Sequence, residues 1–445
     1  MKLCIVGGGG FRTPTVYRAL LGEHASPRVD TVALHDVDTA RLDAMVRILA
    51  ELGADDPHAP AVEATTDLDA AVAGSDFVFA AVRVGGLDGR RCDEHVALDL
   101  GVLGQETTGA GGLAFAIRTV PVMMRVARAV ARLAPDAYVM NFTNPAGIVT
   151  EAMQSVLGDR VLGICDTPSG LARRVAELLG LDPTRVEPDY VGLNHLGWLR
   201  GLRHDGDDML PRLLADDDLL GRTEEARLFG ADWIRSLGAV PNEYLHYYYD
   251  HREAVAAIVA APETRGDYLA RSQRDFYARV VAEAGPGVAA LWRQTVDHRS
   301  ATYMAEAKAD RDAPAAPADE GYAGVALAVM AAIGRGEPAT MILNVRNGTT
   351  VAGLPADAVV EVPTAVDGTG VHPLPLAPPT LHQLGLLAQV KAVERHVITA
   401  ALTGSRAEAV TAFALHPLVD SVSVARRLVD GYVAAIPEVA AVLTR

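Results

Sequence analysis

The chain opens MKLCIVGGGG, a short apolar run that ends in four consecutive glycines. Leu3 to Val6 suit a buried strand. A turn without side chains lets backbone come close to a phosphate, with the positive end of a following helix dipole behind it. A chain that starts this way is expected to begin with a nucleotide-binding strand-turn-helix unit. Gly7 and Gly9 take the first two positions of a G-x-G-x-x-G pattern, Gly10 and Phe11 continue the turn, and Arg12 stands where the third glycine is usual. Asp36 closes the next apolar run at about the separation expected of a ribose-binding acid. No arginine follows it immediately, which favours NAD over NADP. Gly7, Gly9, Gly10, Phe11, Arg12 and Asp36 are the expected cofactor residues; the plain alternative is a tight turn with Asp36 capping the next helix.

Short apolar runs alternate with helical patterns through the first third of the chain. Strands are expected near Lys2–Val6, Thr31–Leu34, Ala61–Ala64, Asp76–Val82, Ala137–Asn141 and Val161–Ile164, with crossover helices at Thr13–Leu21, Asp38–Leu52 and Gly112–Leu133. That rhythm is α/β: a Rossmann-like parallel sheet of the lactate/malate dehydrogenase kind. With 445 residues the chain exceeds the roughly 250 to 300 that one core serves. Two domains are therefore expected, 1–180 binding the dinucleotide and 181–445 an α+β unit. In the second, Asp189–Leu193, Met341–Val345 and Val359–Val362 read as strands, and Leu381–Leu402, Arg406–Leu415 and Ser421–Ile436 as helices. The Ala/Pro-rich stretch 312–319 and Val371–Thr380 read as exposed loops.

A net charge of −16 argues against a nucleic-acid partner. No run reaches the ~20 apolar residues of a membrane helix, so a cytoplasmic protein without a membrane partner is expected. Cys4, Cys92 and Cys165 cannot all pair with one another, which leaves each open to packing, nucleophilic or ligand roles.

Polar clusters follow the strand ends: Arg83–Arg90, Gly104–Gly109, Asn141–Pro145, then Cys165-Asp166, and Asn194-His195 after a further strand. Ligands of such sheets bind beyond the carboxyl ends of the strands, so these clusters should converge on one crevice. In order, GGGGFRTP, RVGGLDGR, GQETTGAGG, NFTNPAG, GICDTP, GLNHLGW, PNEYLHYYY and NVRNG span nearly the whole chain. Together they resemble glycoside hydrolase family 4, nearest its 6-phospho-β-glucosidase branch.

The resemblance implies an NAD-dependent glycosidase outside the usual two-carboxylate scheme. A sugar C2 proton is too weakly acidic for a side chain to remove. Oxidation of the C3 hydroxyl makes that proton alpha to a carbonyl, after which the C1 group is eliminated, water adds and C3 is reduced again. By position, Cys165 and His195 would hold a divalent metal, manganese above all, though a Cys–His pair also suits zinc. Tyr244 would be the base, with Tyr248 as fallback and Tyr247 and Tyr249 packing. Asp166 would be a general acid or, alternatively, a helix cap. Glu106, Asn144 and Asn194 would meet sugar or ribose hydroxyls, and Arg83, Arg90 and Arg299 the substrate, including a 6-phosphate. After Arg299 the family's glycines are missing from Ser300-Ala301-Thr302-Tyr303-Met304, which leaves the phosphate requirement open. A homodimer or homotetramer is implied. The alternative enzyme class is a lactate/malate-type dehydrogenase performing net hydride transfer without a metal.

Overall fold

A computed structural model describes residues 1–23, 25–283, 285–301 and 321–445. Both the stretch 312–319 and residues 302–304 lie outside the described residues. Thirteen strands are described: β1 (Lys2–Val6), β2 (Thr31–His35), β3 (Ala61–Thr65), β4 (Phe77–Ala80), β5 (Tyr138–Asn141), β6 (Val161–Gly163), β7 (Val186–Leu193), β8 (Leu196–His204), β9 (Asp207–Asp208), β10 (Val240–Pro241), β11 (Ala339–Arg346), β12 (Val359–Asp367) and β13 (Gly370–Pro373). All join one sheet.

The first six strands are parallel in the order β3-β2-β1-β4-β5-β6, the doubly wound arrangement of dinucleotide-binding sheets. Alternation along β1 shows why. Leu3 and Ile5 pack on one face against the helices Thr13–Leu21 and Thr39–Leu52. Cys4 and Val6 pack on the other against Ala110–Leu133 and Ala146–Leu157. A strand buried on both faces reads as the continuous apolar run seen in the sequence.

Beyond β6 the sheet continues antiparallel through β11, β12, β7, β8 and β10. The join is narrow: Asn344 faces Gly163, and a Cβ on Gly163 would stand 2.7 Å from the Asn344 Cβ. Glycine at 163 therefore lets the second half dock on the first. The sheet crosses residue 181, where the sequence suggested a division. Helices Leu381–Thr403, Arg406–Leu415 and Val422–Ala435 pack on Ala110–Leu133 in a second core.

Several local expectations are corrected. Val371–Pro373 is not loop but part of β13, paired to β12. The segment after Arg83 is not a loop: Gly86–Leu98 is a helix, and it carries Arg90. Asn194-His195 is the turn of a β7–β8 hairpin whose second strand was not anticipated. Among the described residues no helix is long and apolar enough to cross a membrane.

Candidate active site

At the glycine turn Gly7 sits at φ +90°, and a Cβ there would lie 2.4 Å from the Ala81 carbonyl oxygen. Only glycine fits. The amides of Gly7 and Gly8 both donate to His35 O at 2.8 Å, Gly10 N donates to Gly7 O at 2.9 Å, and Gly9 N donates to Asp36 Oδ2 at 3.0 Å. These amides are committed to building the turn, so a ligand meets its bare surface and the helix start at Phe11-Arg12 instead. Asp36 also accepts from Asp38 N at 3.2 Å. The helix cap is Asp38, not Asp36. Three aromatic residues far along the chain pin the turn's carbonyls: Tyr277 Oη donates to Gly9 O at 2.7 Å, Trp292 Nε1 to Phe11 O at 3.0 Å and Tyr322 Oη to Arg12 O at 3.4 Å.

Beyond the carboxyl ends of β1, β5 and β6 lies a cavity of about 600 Å³, within the range of small-molecule sites. Phe11 and Arg12 line it after β1, Asn144 after β5, and Cys165 and Asp166 after β6. Asn194 and His195 reach it from the hairpin, Tyr244 from a short turn and Arg299 from the helix Val288–Ala301. Gly7, Gly9, Gly10, Asp36 and Arg83 are not among its walls.

His195 holds a positive φ of 62°, and its Nδ1 lies 2.9 Å from Thr107 Oγ1. The Thr107 hydroxyl donates its one proton to Gln105 Oε1 at 3.1 Å, so it accepts from His195 Nδ1–H. That leaves Nε2 as the nitrogen carrying the lone pair, with the tautomer set from behind. Burial pushes the imidazole down to about 4, which keeps it neutral. Cys165 is buried, and burial, then Glu361 and Asp166, push its thiol well up. Only a bound cation would ionise it. Among the described residues no group of three or more His, Cys, Asp or Glu side chains could hold a metal. Cys165 and His195 both line the cavity, and a thiolate with a neutral imidazole is a donor set that would suit a divalent ion with open positions.

Tyr244 sits on the 3₁₀ turn Glu243–Leu245, where Asn242 Oδ1 accepts from its amide at 3.1 Å. Its ring stacks on His195 with centroids 3.8 Å apart and planes at 8°. Tyr244 and the Arg90 guanidinium interact electrostatically. Tyr248 is not among the cavity walls, and its hydroxyl is pushed up by burial and then by Glu394. Tyr247 packs as expected, in a cluster with Leu103, Ile258 and Leu418, and also lines the cavity. Asp166 occupies the N-cap position of the helix Thr167–Leu178, yet its carboxylate makes no capping bond.

Arg90 is only 5 % exposed, so it is a buried charge that must be paired. Its Nε donates to Glu94 Oε1 at 2.9 Å and its Nη1 pairs with Glu106 Oε2 at 2.6 Å; Arg83 Nη2 pairs with the same Glu106 oxygen at 2.5 Å. Burial alone would raise the Glu106 carboxyl, but the Arg83 and Arg90 charges outweigh it and hold the group well below the usual carboxylate range. Arg299 is pushed down to about 9 by burial, then by the guanidinium groups of Arg12 and Arg265. Asn194 is held by its own bonds: Oδ1 accepts from Ala146 N at 3.1 Å and Nδ2 donates to Glu361 at 3.4 Å.

Sequence reasoning missed Arg265, which lines the cavity. Thr264 caps its helix, and Gly266 N donates to Glu94 Oε2 at 2.8 Å, so close that a Cβ on Gly266 would meet that oxygen at 2.6 Å. A threonine cap with glycine two residues on was the available signal. Glu361 was missed as well, although a lone carboxylate inside the apolar run Val359–Val366 is itself a signal. It is completely buried, and burial pushes it up to about 7 against the hydrogen bonds of Asn344, Asn194 and Tyr190.

A doubly wound sheet with a cavity lined by titratable groups beyond its strand ends has the arrangement of an α/β enzyme. Family models narrow the class. The family 4 glycosyl hydrolase model matches residues 2–181 and the family 4 glycosyl hydrolase C-terminal domain matches residues 190–419. The chain belongs to glycosyl hydrolase family 4. Among its relatives, the maltose-6'-phosphate glucosidase of Bacillus subtilis is 30% identical over 457 residues, covering 98% of this chain and 95% of the relative. The 6-phospho-β-glucosidase of Thermotoga maritima, solved with NAD and glucose-6-phosphate, has a TM-score of 0.83 at 26% identity, covering 98% of this chain and 99% of that one. A 6-phospho-α-glucosidase from gut microorganisms, solved with NAD and Mn2+, has a TM-score of 0.80 at 27% identity, covering 97% of each chain.

Proposed function

We propose that this glycoside hydrolase cleaves 6-phospho-β-glucosides or closely related glycosides with NAD and a divalent ion, manganese above all. The route is transient oxidation at C3, loss of the C2 proton, elimination of the C1 group, addition of water and reduction of C3. The ligands of its solved neighbours support the cofactors. Residues 1–180 would carry the dinucleotide, and the rest of the site would be shared between residues of that half, such as Cys165, Asp166 and Glu106, and residues of 181–445, such as His195, Tyr244 and Arg299, in a homodimer or homotetramer.

The observation that carries this reading is the His195–Tyr244 stack, 3.8 Å between centroids, beside Arg90 and on the cavity that Cys165 lines. When bound, NAD supplies a reversible hydride acceptor and the ion supplies Lewis-acid polarisation of the transient carbonyl. Cys165 Sγ and His195 Nε2 would hold that ion. Tyr244 Oη removes the C2 proton. A phenol titrates near ~10 unaided, and nearby positive charge, Arg90 included, favours its phenolate. Asp166, with no cap to hold, delivers a proton to the leaving oxygen. Glu106, fixed as a carboxylate by Arg83 and Arg90, accepts from sugar hydroxyls together with Asn144. Arg12, Arg265 and Arg299 form the end of the cavity that suits a phosphate dianion.

The test is release of 4-nitrophenol from its 6-phosphoglucosides, in both anomers, with NAD, manganese and thiol present. Turnover of the 6-phospho-β-glucoside without accumulation of NADH is expected. No turnover on either anomer, phosphorylated or not, defeats the reading, and net NADH formation on a hydroxy acid would put a dehydrogenase in its place.

A further inference from the structure

Glu361 takes no part in the chemistry just described, yet both working turns of the site are bonded to it. Its Oε1 accepts from Asn344 Nδ2 at 2.9 Å and from Asn194 Nδ2 at 3.4 Å, and its Oε2 accepts from the Tyr190 hydroxyl at 3.3 Å. The Asn194 arm leads directly to His195, the next residue, held at φ +62° in the hairpin turn. By its other end Asn194 accepts from Ala146 N at 3.1 Å, which secures the loop carrying Asn144. The second arm leads to Tyr244. Tyr190 Oη, having given its proton to Glu361, accepts from Asn242 Nδ2 at 3.3 Å, and Asn242 Oδ1 accepts from Tyr244 N at 3.1 Å. Tyr190, Asn242, Asn344 and Glu361 are all at 0 % exposure, so no water competes for the bonds among them, while Asn194 is part-buried at the cavity wall.

In this arrangement Glu361 only accepts, from both asparagine amides and from the Tyr190 hydroxyl, which sets the direction of every bond in the chain. Both asparagine amides must turn their nitrogens toward it, and Tyr190 must present its lone pairs to Asn242. A glutamine at 361 would keep the shape but bring an NH2 group against inward-pointing donors, and a partly satisfied buried network is costly. We propose that Glu361 is a positioning residue: it registers the His195 turn against the Tyr244 turn so that ligand and base stay face to face. This rests on the roles given to His195 and Tyr244 above.

The experiment compares the wild-type full chain with E361Q, E361D and N242A. It reads Mn(II) binding by electron paramagnetic resonance without substrate, NAD binding by fluorescence titration, and kcat separately from KM. Partners behind a ligand typically set 10- to 100-fold in metal affinity. E361Q is expected to bind NAD as the wild type does while its Kd for Mn(II) rises about 10- to 100-fold, and E361D to recover part of that loss. N242A, which cuts the tyrosine arm alone, is expected to keep Mn(II) affinity and KM but lose about tenfold or more in kcat, a modest share of what general-base catalysis supplies. Wild-type Mn(II) affinity in E361Q, or in E361D should E361Q not fold, overturns the inference, as does unchanged kcat in N242A. Absence of Mn(II) binding in the wild type itself overturns the functional reading on which the inference stands.

Discussion

Tyr244 is where the account is most exposed to a single substitution. Tyr244→Phe removes one oxygen and keeps the ring that stacks on His195, so NAD and Mn(II) binding should persist while kcat falls by about 10²- to 10⁴-fold. Exchange of solvent deuterium into C2 of the sugar checks the cause: it should fall in step with kcat, and a variant that keeps its exchange rate assigns the base elsewhere. His416 makes a second residue-scale prediction, away from the cavity. It is 3 % exposed and accepts from Leu418 N through Nδ1 at 3.1 Å, and burial, then His251, push it down to about 3. The unfolded chain takes up the proton near pH 6.5 and the folded one only near 3. Stability is therefore complete above 6.5 and falls with pH below it, by about 1.4 kcal/mol per unit from this histidine. Urea midpoints at pH 7 and pH 5 should show that slope in the wild type and a shallower one in His416→Gln. Residues named by local motif, among them Cys165, His195, Tyr244, Arg90 and Glu106, were legible because each sits beside a strand end or turn that the chain announces nearby. Arg265 and Glu361 were not. Their places depend on contacts far apart in the chain, Gly266 N with Glu94 across 172 positions and Tyr190 with Glu361 across 171.

Among the elements, continuous apolar runs such as Phe77–Ala80 declared themselves, since a strand buried on both faces needs nothing else. β8 did not, because LGWLRGLRH mixes glycine and arginine through a strand whose partner is set only by the hairpin. The helix Gly86–Leu98 escaped for a different reason: it buries arginine and carboxylates, not an apolar stripe. What holds that helix makes its own prediction. Asp93 and Arg118 form a bidentate pair at 2.7 and 2.6 Å with both side chains at 0 % exposure. Arg118 Nε also donates to Val84 O at 3.0 Å, tying the Arg83–Arg90 segment to the helix Ala110–Leu133. Arg118→Met leaves a buried carboxylate without its partner, which should cost about 3 to 5 kcal/mol. The thermal midpoint should drop sharply, and Asp93→Leu added to Arg118→Met should recover much of it. If the single variant melts with the wild type, the pair does not anchor the helix.

On the scale of the whole molecule, the parallel half followed from rhythm alone, and the family from its ordered motifs. The way the second half joins did not, because β11 meets β6 through one residue pair, Asn344 and Gly163, and no local pattern marks such a contact. That join matters for function. It brings Glu361 and the hairpin turn to the same end of the sheet as Phe11 and Arg12, so that one cavity is lined from both halves of the chain. Under the proposed route, a hydrolase built on a dehydrogenase-like sheet cuts its bond only by borrowing and returning a hydride. The most direct test of that route is cleavage of the chromogenic 6-phosphoglucoside by enzyme stripped of NAD, with manganese and thiol retained. The account predicts no cleavage until about one equivalent of NAD per chain is restored, and then full turnover with no net NADH. Undiminished cleavage by the stripped enzyme contradicts it.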